Sequence, residues 1–338
     1  MKRWYQLDNE TKTRGYNQIS DATGIMPYAV EKDWWVVQTL SLLFEMDMRN
    51  FLVFKGGTSL SKAWNLIERF SEDIDIAIDR SFFGFDGKLS KKQRTNLRKE
   101  TSKYITEIVY PGLLERFHAN GLSEVTLNIE EPKTSDQDPR VIEIYYPNVI
   151  PSPGYLQPKV QVEIGGRSLR EPYSIRTFSS LVDEYYSSAE FAQAPIDIPS
   201  VNPERTLLEK IFLLHEEFQR PAGKIRVNRL SRHLYDIYQL SKTEYAKKIF
   251  INKSLYEEIV VHRHFFTRLG GVDYNLHNPQ SINPLPPPEL FDAWKTDYKT
   301  MQTNMIYGNS PDFDEMIDDI RKFISHLNNV SWKMDAVF

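Results

Sequence analysis

The chain has 338 residues, a formal net charge of −4 and no cysteine. This length accommodates one large or two ordinary domains with a sizeable core, and the lack of cysteine excludes a disulfide scaffold, a thiolate metal site and a cysteine nucleophile. With no apolar run of about 18 residues and no signal-peptide core, we expect a cytoplasmic protein without membrane contact, in which nucleic-acid binding depends on local basic patches.

Two helices are predicted before residue 50. The first covers residues 16–22 and ends near Gly24, and the second covers residues 27–44, with a proline in its first turn. The second helix has an apolar stripe formed by Val30, Trp34, Val37 and Leu40. The consecutive charged residues Glu31, Lys32 and Asp33 predict a solvated helix face with local ion pairs.

A strand, a glycine turn and a helix are predicted next. Residues 51–54 form a short apolar run, and Gly56 and Gly57 allow a sharp turn and a close approach of the backbone to a ligand. We expect Thr58 or Ser59 to cap the following helix, whose N-terminus would attract anions. The apolar face of this helix is predicted to consist of Leu60, Ala63, Trp64 and Ile67.

Residues 73–78 alternate between acidic and apolar side chains before ending in an apolar pair. Strand geometry places Asp73 and Asp75 on one face and three isoleucines on the other. Two carboxylates on one face repel each other unless a cation binds between them, and Mg²⁺ takes oxygen ligands. With the anion site upstream, this pair suits metal-assisted phosphoryl or nucleotidyl transfer. A solvated edge strand is the alternative for an isolated Asp-x-Asp sequence.

A basic helix is predicted from Lys88 to about His118, and Gly121 ends it. Its first part carries a single acid, Glu100, among many basic residues. The basic residues are Lys88, Lys91, Lys92, Arg94, Arg98, Lys99 and Lys103. Such a helix can bind the phosphates of a nucleic acid, and a solvated charged face is an equal alternative.

Further strands are predicted at residues 124–129, 141–146 and 159–164. In the last of these, Gln161 and Glu163 lie on the face opposite three apolar side chains. Residues 171–200 predict a loop with short strand or helix pieces.

Helical patterns dominate from residue 202 onward. Asn202 and Pro203 form a helix start, and Lys210 flanks the apolar stripe of this helix, where it could be a snorkelling surface residue. Additional helices are predicted at residues 229–240, 290–307 and 312–327.

Two polar features accompany these C-terminal helices. A loop with Arg220, Lys224 and Arg226 is a second basic segment that can contact phosphates. In the helix that follows, Arg232 and Asp236 have the i, i+4 spacing of a helical ion pair.

The long motif from Phe54 to Ala63, followed by the segment from Arg69 to Asp75, resembles the signature of the AbiEii/AbiGii-type nucleotidyltransferase toxin family. This family belongs to the polymerase-β-like nucleotidyltransferase superfamily. The resemblance implies an α/β (α+β) fold with a mixed sheet in a core over residues 1–200. It also implies a helical C-terminal domain over residues 201–338 that completes the active-site cleft.

The resemblance also implies roles for individual residues. Asp73 and Asp75 would bind Mg²⁺ (or Mn²⁺) and act in catalysis, Lys210 would bind the triphosphate, and Asp236 would be a catalytic acid. Glu163 is either a third catalytic carboxylate or an exposed strand residue. The residues expected to bind nucleotide are Lys55, Gly56, Gly57, Thr58, Ser59, Lys62 and Ser71.

The implied function is the transfer of a nucleotide from an NTP by the toxin of a toxin–antitoxin or abortive-infection (phage defence) system. An antitoxin protein would be its partner, and the acceptor would be an RNA, with tRNA as one candidate, or a protein hydroxyl. The alternative is a non-catalytic NTP- or nucleic-acid-binding regulator that keeps the fold. The enzymatic interpretation further predicts that Lys210 and Asp236 lie in one cleft with Asp73 and Asp75.

Overall fold

The computed structural model describes residues 3–152, 154, 157–167 and 172–338. The chain divides into two compact units. The first unit comprises Met1–Trp64 and Phe70–Val201, and the second comprises Asn65–Arg69 and Asn202–Phe338. In the described part of the chain, no helix combines the length and apolar character needed to span a bilayer.

The first unit is built around a mixed sheet, which confirms the predicted fold class. Within the described residues the sheet has seven strands in the order β3-β4-β5-β2-β1-β7-β6. The strands are β1 (Leu52–Lys55), β2 (Asp73–Ile78), β3 (Thr126–Ile129), β4 (Arg140–Tyr145), β5 (Lys159–Gly165), β6 (Tyr173–Phe178) and β7 (Ile196–Val201). β2 runs antiparallel to β1 and parallel to β5, and β7 runs parallel to β1.

Helices of this unit contact the sheet, and apolar side chains line one face of the sheet. The helices are α1 (Asn9–Thr23), α2 (Pro27–Leu43), α3 (Gly56–Thr58), α4 (Lys91–Tyr104), α5 (Tyr110–Ala119) and α6 (Leu181–Tyr185). α2 and α4 contact β5, and α5 contacts β3. Ile74, Ile76, Val160 and Val162 on this face are fully or almost fully buried, whereas Asp73 and Asp75 alternate with them and are half-exposed. The predicted alternation of β2 is therefore confirmed.

Most predicted boundaries agree with these elements within a few residues. The first helix is longer than predicted and ends at Gly24, which has a φ of 73°. The basic helix begins after Ser90, which caps it, and continues through a π turn into α5. The region 171–200, predicted as short pieces, contributes β7 to the sheet interior, between β1 and β6.

The charged residues 31–33 of α2 were expected to form a solvated face, and that prediction is wrong. All three side chains are at least 96% buried. Each one finds a distant partner in the first unit, which local helical spacing cannot reveal. Glu31 accepts hydrogen bonds from the N–H groups of Val149 and Ile150, Lys32 pairs with Glu72, and Asp33 pairs with Lys62.

The second unit is helical, as predicted. Its helices are α7 (Pro203–Phe218), α8 (Ser231–Ser241), α9 (Glu244–Ile251), α10 (Lys253–Phe266), α11 (Phe291–Asn304) and α12 (Phe313–Asn328). Asp312 caps α12 by accepting a hydrogen bond from the N–H of Glu315. The segment Asn65–Arg69 joins this unit through a bridge between Arg69 and Ile306 and a 3.1 Å hydrogen bond from the N–H of Tyr307 to the carbonyl of Glu68.

Short turns connect the longer elements. The 3-10 turns are Trp4–Gln6, Asp47–Phe51, Arg80–Phe83, Ala222–Lys224, Tyr274–His277, Pro279–Ser281 and Pro288–Leu290, and the π turns are Ser59–Ala63 and Ile105–Val109.

Candidate functional site

The glycine turn brings the end of β1 directly against the second aspartate of β2. Gly56 has a φ of 78°, and a Cβ atom at this position would overlap the carboxylate of Asp75. Only glycine satisfies both the backbone angle and the available space without a shift of its neighbours. The turn is therefore shaped around the Asp75 side chain, and the predicted approach of its backbone to a ligand stays a prediction.

The helix after the turn is shorter than predicted. It comprises α3 and the π turn Ser59–Ala63, and Asn65 then has a left-handed φ of 51°. Ile67 therefore lies beyond the helix, which corrects the predicted apolar face. Arg176 of β6 ends the helix by donating from Nε to the carbonyl of Ala63 at 2.9 Å.

Three charged residues form a row across adjacent strands. Asp75 is paired in register with Lys55 on β1 and with Glu163 on β5. Residues directly opposite each other point to the same face of a sheet. Lys55 Nζ lies 4.0 Å from Asp75 Oδ1, and Glu163 is exposed. The structure thus places Glu163 on the strand beside the aspartate pair and on the same face.

Asp73 and Asp75 offer hard oxygen donors on one face of β2. Among the residues that the structure describes, no three His, Cys, Asp or Glu side chains converge as ligands of one metal ion. The donor chemistry of two carboxylates beside a glycine turn still fits a divalent cation that takes its remaining ligands from phosphate oxygens.

The hydroxyl groups near the turn do not cap the helix. The cap residue is Lys55, which makes no side-chain capping bond, so the prediction for Thr58 or Ser59 is wrong. Thr58 instead contacts Ser71 and the carbonyl of Asp73. The Ser59 hydroxyl is buried and has no hydrogen-bond partner among the described residues.

Lys62 was predicted to bind nucleotide, and the structure gives it an acidic neighbour. Its Nζ lies 2.9 Å from Asp33 Oδ1, and both side chains are largely buried. Asp33 also accepts a 2.7 Å hydrogen bond from the N–H of Leu181. Lys62 is therefore anchored to α2 and α6 in this structure.

Lys210 and Asp236 meet inside the second unit. Lys210 Nζ lies 2.7 Å from Asp236 Oδ2, and Arg69 makes a bidentate contact to the same carboxylate with two distances of 2.7 Å. Asp236 is 0% exposed, Arg69 2% and Lys210 7%.

This buried cluster shifts the proton affinity of its members. Burial by itself would raise the pKa of Asp236, but Arg69 and Lys210 hold it well below its usual range. Burial lowers the pKa of Lys210, and Asp236 offsets part of that shift. Burial, reinforced by the nearby Lys210, lowers the pKa of His233 well below its usual range.

Arg69 is the member of the cluster that the sequence did not reveal. Its bidentate partner, Asp236, lies 167 residues away in the chain, beyond the reach of any local spacing. Arg69 stands within the motif that carries the family resemblance, but no periodicity connects it to α8. Glu72, the buried partner of Lys32, was missed for the same reason.

The two basic segments differ in how much of their charge is neutralised. In the loop after α7, Arg220 and Arg226 both contact Glu217, whose side chain is 1% exposed. On α4, the lysines are exposed, and Arg98 pairs with Asp136 at 2.7 Å. The exposed lysines at and before this helix are Lys88, Lys91, Lys92, Lys99 and Lys103.

Comparison with known proteins identifies relatives of this chain. The sequence profile described as "Nucleotidyl transferase AbiEii toxin, Type IV TA system" matches residues 41–319. The fold is similar to that of MenT4, a nucleotidyltransferase toxin from Mycobacterium tuberculosis H37Rv, with a TM-score of 0.54, 17% identity and coverage of 96% of this chain and 91% of that chain.

Two proteins from Helicobacter pylori are more distant in structure. JHP933 matches with a TM-score of 0.39, 14% identity and coverage of 86% of this chain and 92% of that chain. A protein described as a nucleotidyltransferase matches with a TM-score of 0.41, 14% identity and coverage of 95% of this chain and 96% of that chain. No functionally curated protein matches the sequence.

Proposed function

We propose that this chain, which belongs to the AbiEii family of nucleotidyltransferase toxins of type IV toxin–antitoxin systems, acts on RNA. It would transfer a nucleotide from an NTP to an RNA hydroxyl with the help of Mg²⁺. The observation that carries this proposal is the contact between Gly56 and Asp75, which places a backbone turn suited to phosphate against a carboxylate suited to a metal.

Asp73 and Asp75 would hold the metal ion, with Mn²⁺ as a substitute. When bound, the ion neutralises charge on the phosphates and orients them for in-line attack. The aspartates would contribute two of its ligands, and the nucleotide phosphates would contribute others. Their shared strand face supports this role, because both residues are half-exposed there and Asp75 lies against the glycine turn. Glu163, in register with Asp75, stays a predicted third carboxylate.

The glycine turn would bind the phosphate groups of the NTP. Gly56, Gly57 and Thr58 begin a helical segment, so their backbone N–H groups are not used within it and can be donated to a phosphate. Lys55, which faces Asp75 from the neighbouring strand, would add a positive charge. Ser59, Lys62 and Ser71 surround this turn and remain predicted contributors.

Lys210 would bind the triphosphate. Asp236 would assist in activating the acceptor or in binding the metal. The 2.7 Å contact between Lys210 Nζ and Asp236 Oδ2 supports these roles, because it holds the cation expected to bind the triphosphate beside the carboxylate expected to act with it. The loss of the Lys210 charge is therefore expected to weaken NTP binding.

The acceptor is proposed to be an RNA, with tRNA as one candidate. The exposed lysines of α4 support this choice, since they supply a basic surface on a chain of net negative charge, although Lys103 lies 4.0 Å from Glu107. A protein hydroxyl is the second candidate acceptor, and an antitoxin protein is the proposed partner of the toxin. A non-catalytic regulator with the same fold would bind the NTP without turnover.

The test is to incubate the protein with each labelled NTP, Mg²⁺ and total RNA. We expect one NTP to label an RNA band with the wild type, and no labelling with Asp75→Asn. The matched control is Asp86→Asn, which changes an exposed aspartate of the same unit. Label on protein instead of RNA would identify the other acceptor, and binding without any transfer would contradict the enzymatic proposal.

A further inference from the structure

One hydroxyl group joins the glycine turn to the strand that carries the aspartates. Thr58 is 1% exposed, and its Oγ1 lies 2.5 Å from the carbonyl oxygen of Asp73 and 3.0 Å from Oγ of Ser71. A carbonyl oxygen can only accept a hydrogen bond, so the Thr58 hydroxyl donates to Asp73 and accepts from Ser71. The single proton of this hydroxyl is thereby committed to the backbone of a proposed metal ligand.

This hydrogen bond lies where the pairing of the strands ends. The β1–β2 register runs from Leu52 opposite Ile78 to Lys55 opposite Asp75, and it stops before Asp73. On the other side, Asp73 is paired with Gln161 of β5. The Thr58 hydroxyl thus adds a tie between the turn and the Asp73 backbone beyond the last paired residue of β1.

A second buried contact holds the residue before Asp73. Glu72 Oε2 lies 2.6 Å from Lys32 Nζ, and both side chains are at least 90% buried. Lys32 Nζ also donates to the carbonyl of Gln157 at 3.0 Å. Residues 71–73 are therefore held from the turn by Thr58 and from α2 by Lys32, while the Asp73 side chain stays half-exposed.

We propose that Thr58 is a positioning residue, whose hydroxyl holds Asp73 in the geometry for metal binding and whose contribution to nucleotide binding comes from its backbone. This inference rests on the proposed function, in which Asp73 is a metal ligand. It assigns the Thr58 side chain a different task from the phosphate contact that the motif predicts. A small displacement of a metal ligand moves the metal relative to the reacting atoms and lowers the reaction rate. A hydrogen bond that fixes the Asp73 backbone would prevent such a displacement.

The test compares Thr58→Val, which keeps the side-chain shape and loses the hydroxyl, with Thr58→Ser, which keeps the hydroxyl. We expect Thr58→Val to lower kcat on the order of 10- to 100-fold. It should also weaken Mn²⁺ binding, measured by electron paramagnetic resonance without acceptor. Its affinity for NTP in the absence of divalent metal should change little, and Thr58→Ser should remain close to the wild type in all three measurements.

Hydrogen exchange provides a structural readout that does not depend on activity. In Thr58→Val, the amides of residues 70–78 should exchange faster than in Thr58→Ser, because the start of β2 has lost its tie to the turn. If Thr58→Val does not fold, Ser71→Ala is the second variant. Ser71→Ala removes the group that orients the Thr58 hydroxyl. It should weaken Mn²⁺ binding and speed up amide exchange, both by less than is expected for Thr58→Val.

Two results would overturn the inference. In the first, Thr58→Val weakens metal-free NTP binding as strongly as it lowers kcat, which would mean that the hydroxyl contacts the nucleotide. In the second, the variant matches the wild type in Mn²⁺ affinity and in exchange. A wild type that transfers no nucleotide would instead contradict the proposed function alone, because the Mn²⁺ and exchange measurements still report on Thr58.

Discussion

At the scale of single residues, the chemistry of the site depends on how little room Gly56 and Asp75 leave between them. A glycine can be required for its backbone angle, for lack of space, or for both, and the chain offers a comparison. Gly56 and Gly87 have similar positive φ values of 78° and 64°. A Cβ atom would meet the Asp75 carboxylate at Gly56 and nothing within 4 Å at Gly87.

We therefore expect Gly56→Ala to be more damaging than Gly87→Ala. The backbone strain common to both costs about 1–2 kcal/mol in the free energy of unfolding. Gly56→Ala must in addition displace Asp75, so it should lose more stability and nearly all nucleotide transfer, whereas Gly87→Ala keeps its activity. Thermal unfolding and transfer assays on both variants check this, and equal losses would show that the space beside Asp75 is unimportant.

The buried cluster around Asp236 gives a second prediction at this scale. Asp236→Ala leaves Arg69 and Lys210 buried without their carboxylate, which should lower the free energy of unfolding by about 3–5 kcal/mol. Lys210→Met leaves the bidentate pair of Arg69 and Asp236 in place and should cost clearly less. Denaturant unfolding of both variants measures the difference.

Lys210→Met also separates function from stability. If Lys210 binds the triphosphate, this variant should lose NTP affinity by more than its loss of stability explains. A Lys210→Met protein that binds NTP as the wild type does would restrict Lys210 to holding Asp236 in place.

At the scale of secondary-structure elements, α4 combines a buried side and a basic side. Leu97 is fully buried, and Lys91, Lys92 and Lys99 are exposed. Neutralising a lysine that binds a phosphate reduces the number of counterions released when the nucleic acid binds. The loop after α7 is a weaker candidate, because Glu217 neutralises part of its charge.

We expect the triple change Lys91→Gln, Lys92→Gln and Lys99→Gln to weaken RNA binding and to flatten its salt dependence. The slope of log K against log salt should become shallower by roughly 0.7–0.9 for each phosphate that is no longer neutralised by a lysine. The matched control changes three exposed lysines of the second unit, Lys247, Lys299 and Lys333, to Gln. If both triple variants bind RNA with the same reduced affinity, the α4 surface has no special part in RNA binding.

A buried histidine of α7 gives the protein a pH-dependent stability. Burial, with His277 beside it, lowers the pKa of His215 from 6.5 to about 4. Nδ1 of His215 lies 3.0 Å from the backbone N and 3.2 Å from the carbonyl oxygen of Asn283, and the lowered pKa favours the neutral ring in the folded protein. Between pH 4 and pH 6.5, the two pKa values of His215, the unfolded chain binds a proton that the folded protein does not bind. The free energy of unfolding therefore falls as the pH falls through this range.

The expected loss from His215 is up to about 1.4 kcal/mol per pH unit between pH 6.5 and pH 4. His215→Gln should reduce this slope, since Gln retains an acceptor for Asn283 and has no proton to bind. His326→Gln serves as the control because His326 is exposed. Denaturant unfolding at several pH values measures the slopes, and an unchanged slope in His215→Gln would assign the acid sensitivity to other groups.

At the scale of the whole molecule, ligand binding should appear as added stability. A ligand that binds only the folded state at 100 times its Kd contributes about 2.7 kcal/mol. We expect NTP with Mg²⁺ to raise the Tm by a few degrees, and NTP alone to raise it less. In Asp75→Asn, the Mg²⁺-dependent part of the Tm increase should be lost, and the increase caused by NTP alone should remain. Differential scanning fluorimetry measures both. A full Mg²⁺-dependent increase in that variant would show that Asp75 is not a metal ligand.

The sequence by itself determined the local features of this protein. The period of two in residues 73–78 is sufficient to place Asp73 and Asp75 on one face, because strand geometry alternates side chains without reference to the rest of the fold. The apolar stripes and prolines of α2 and α7 likewise predict their own helices. The motif around the glycines led to the family, and with it to the mixed sheet.

Only the tertiary structure decided which distant groups meet. The charged residues of α2 looked solvated because their partners are remote in sequence, and the contact of Arg69 with Asp236 likewise joins residues that no local spacing connects. Helical periodicity tells which side of a helix is buried, but burial of a charge depends on a partner that the spacing cannot supply. The Thr58 hydroxyl shows the same limit, because its direction toward Asp73 follows from where β1 ends and the helix begins.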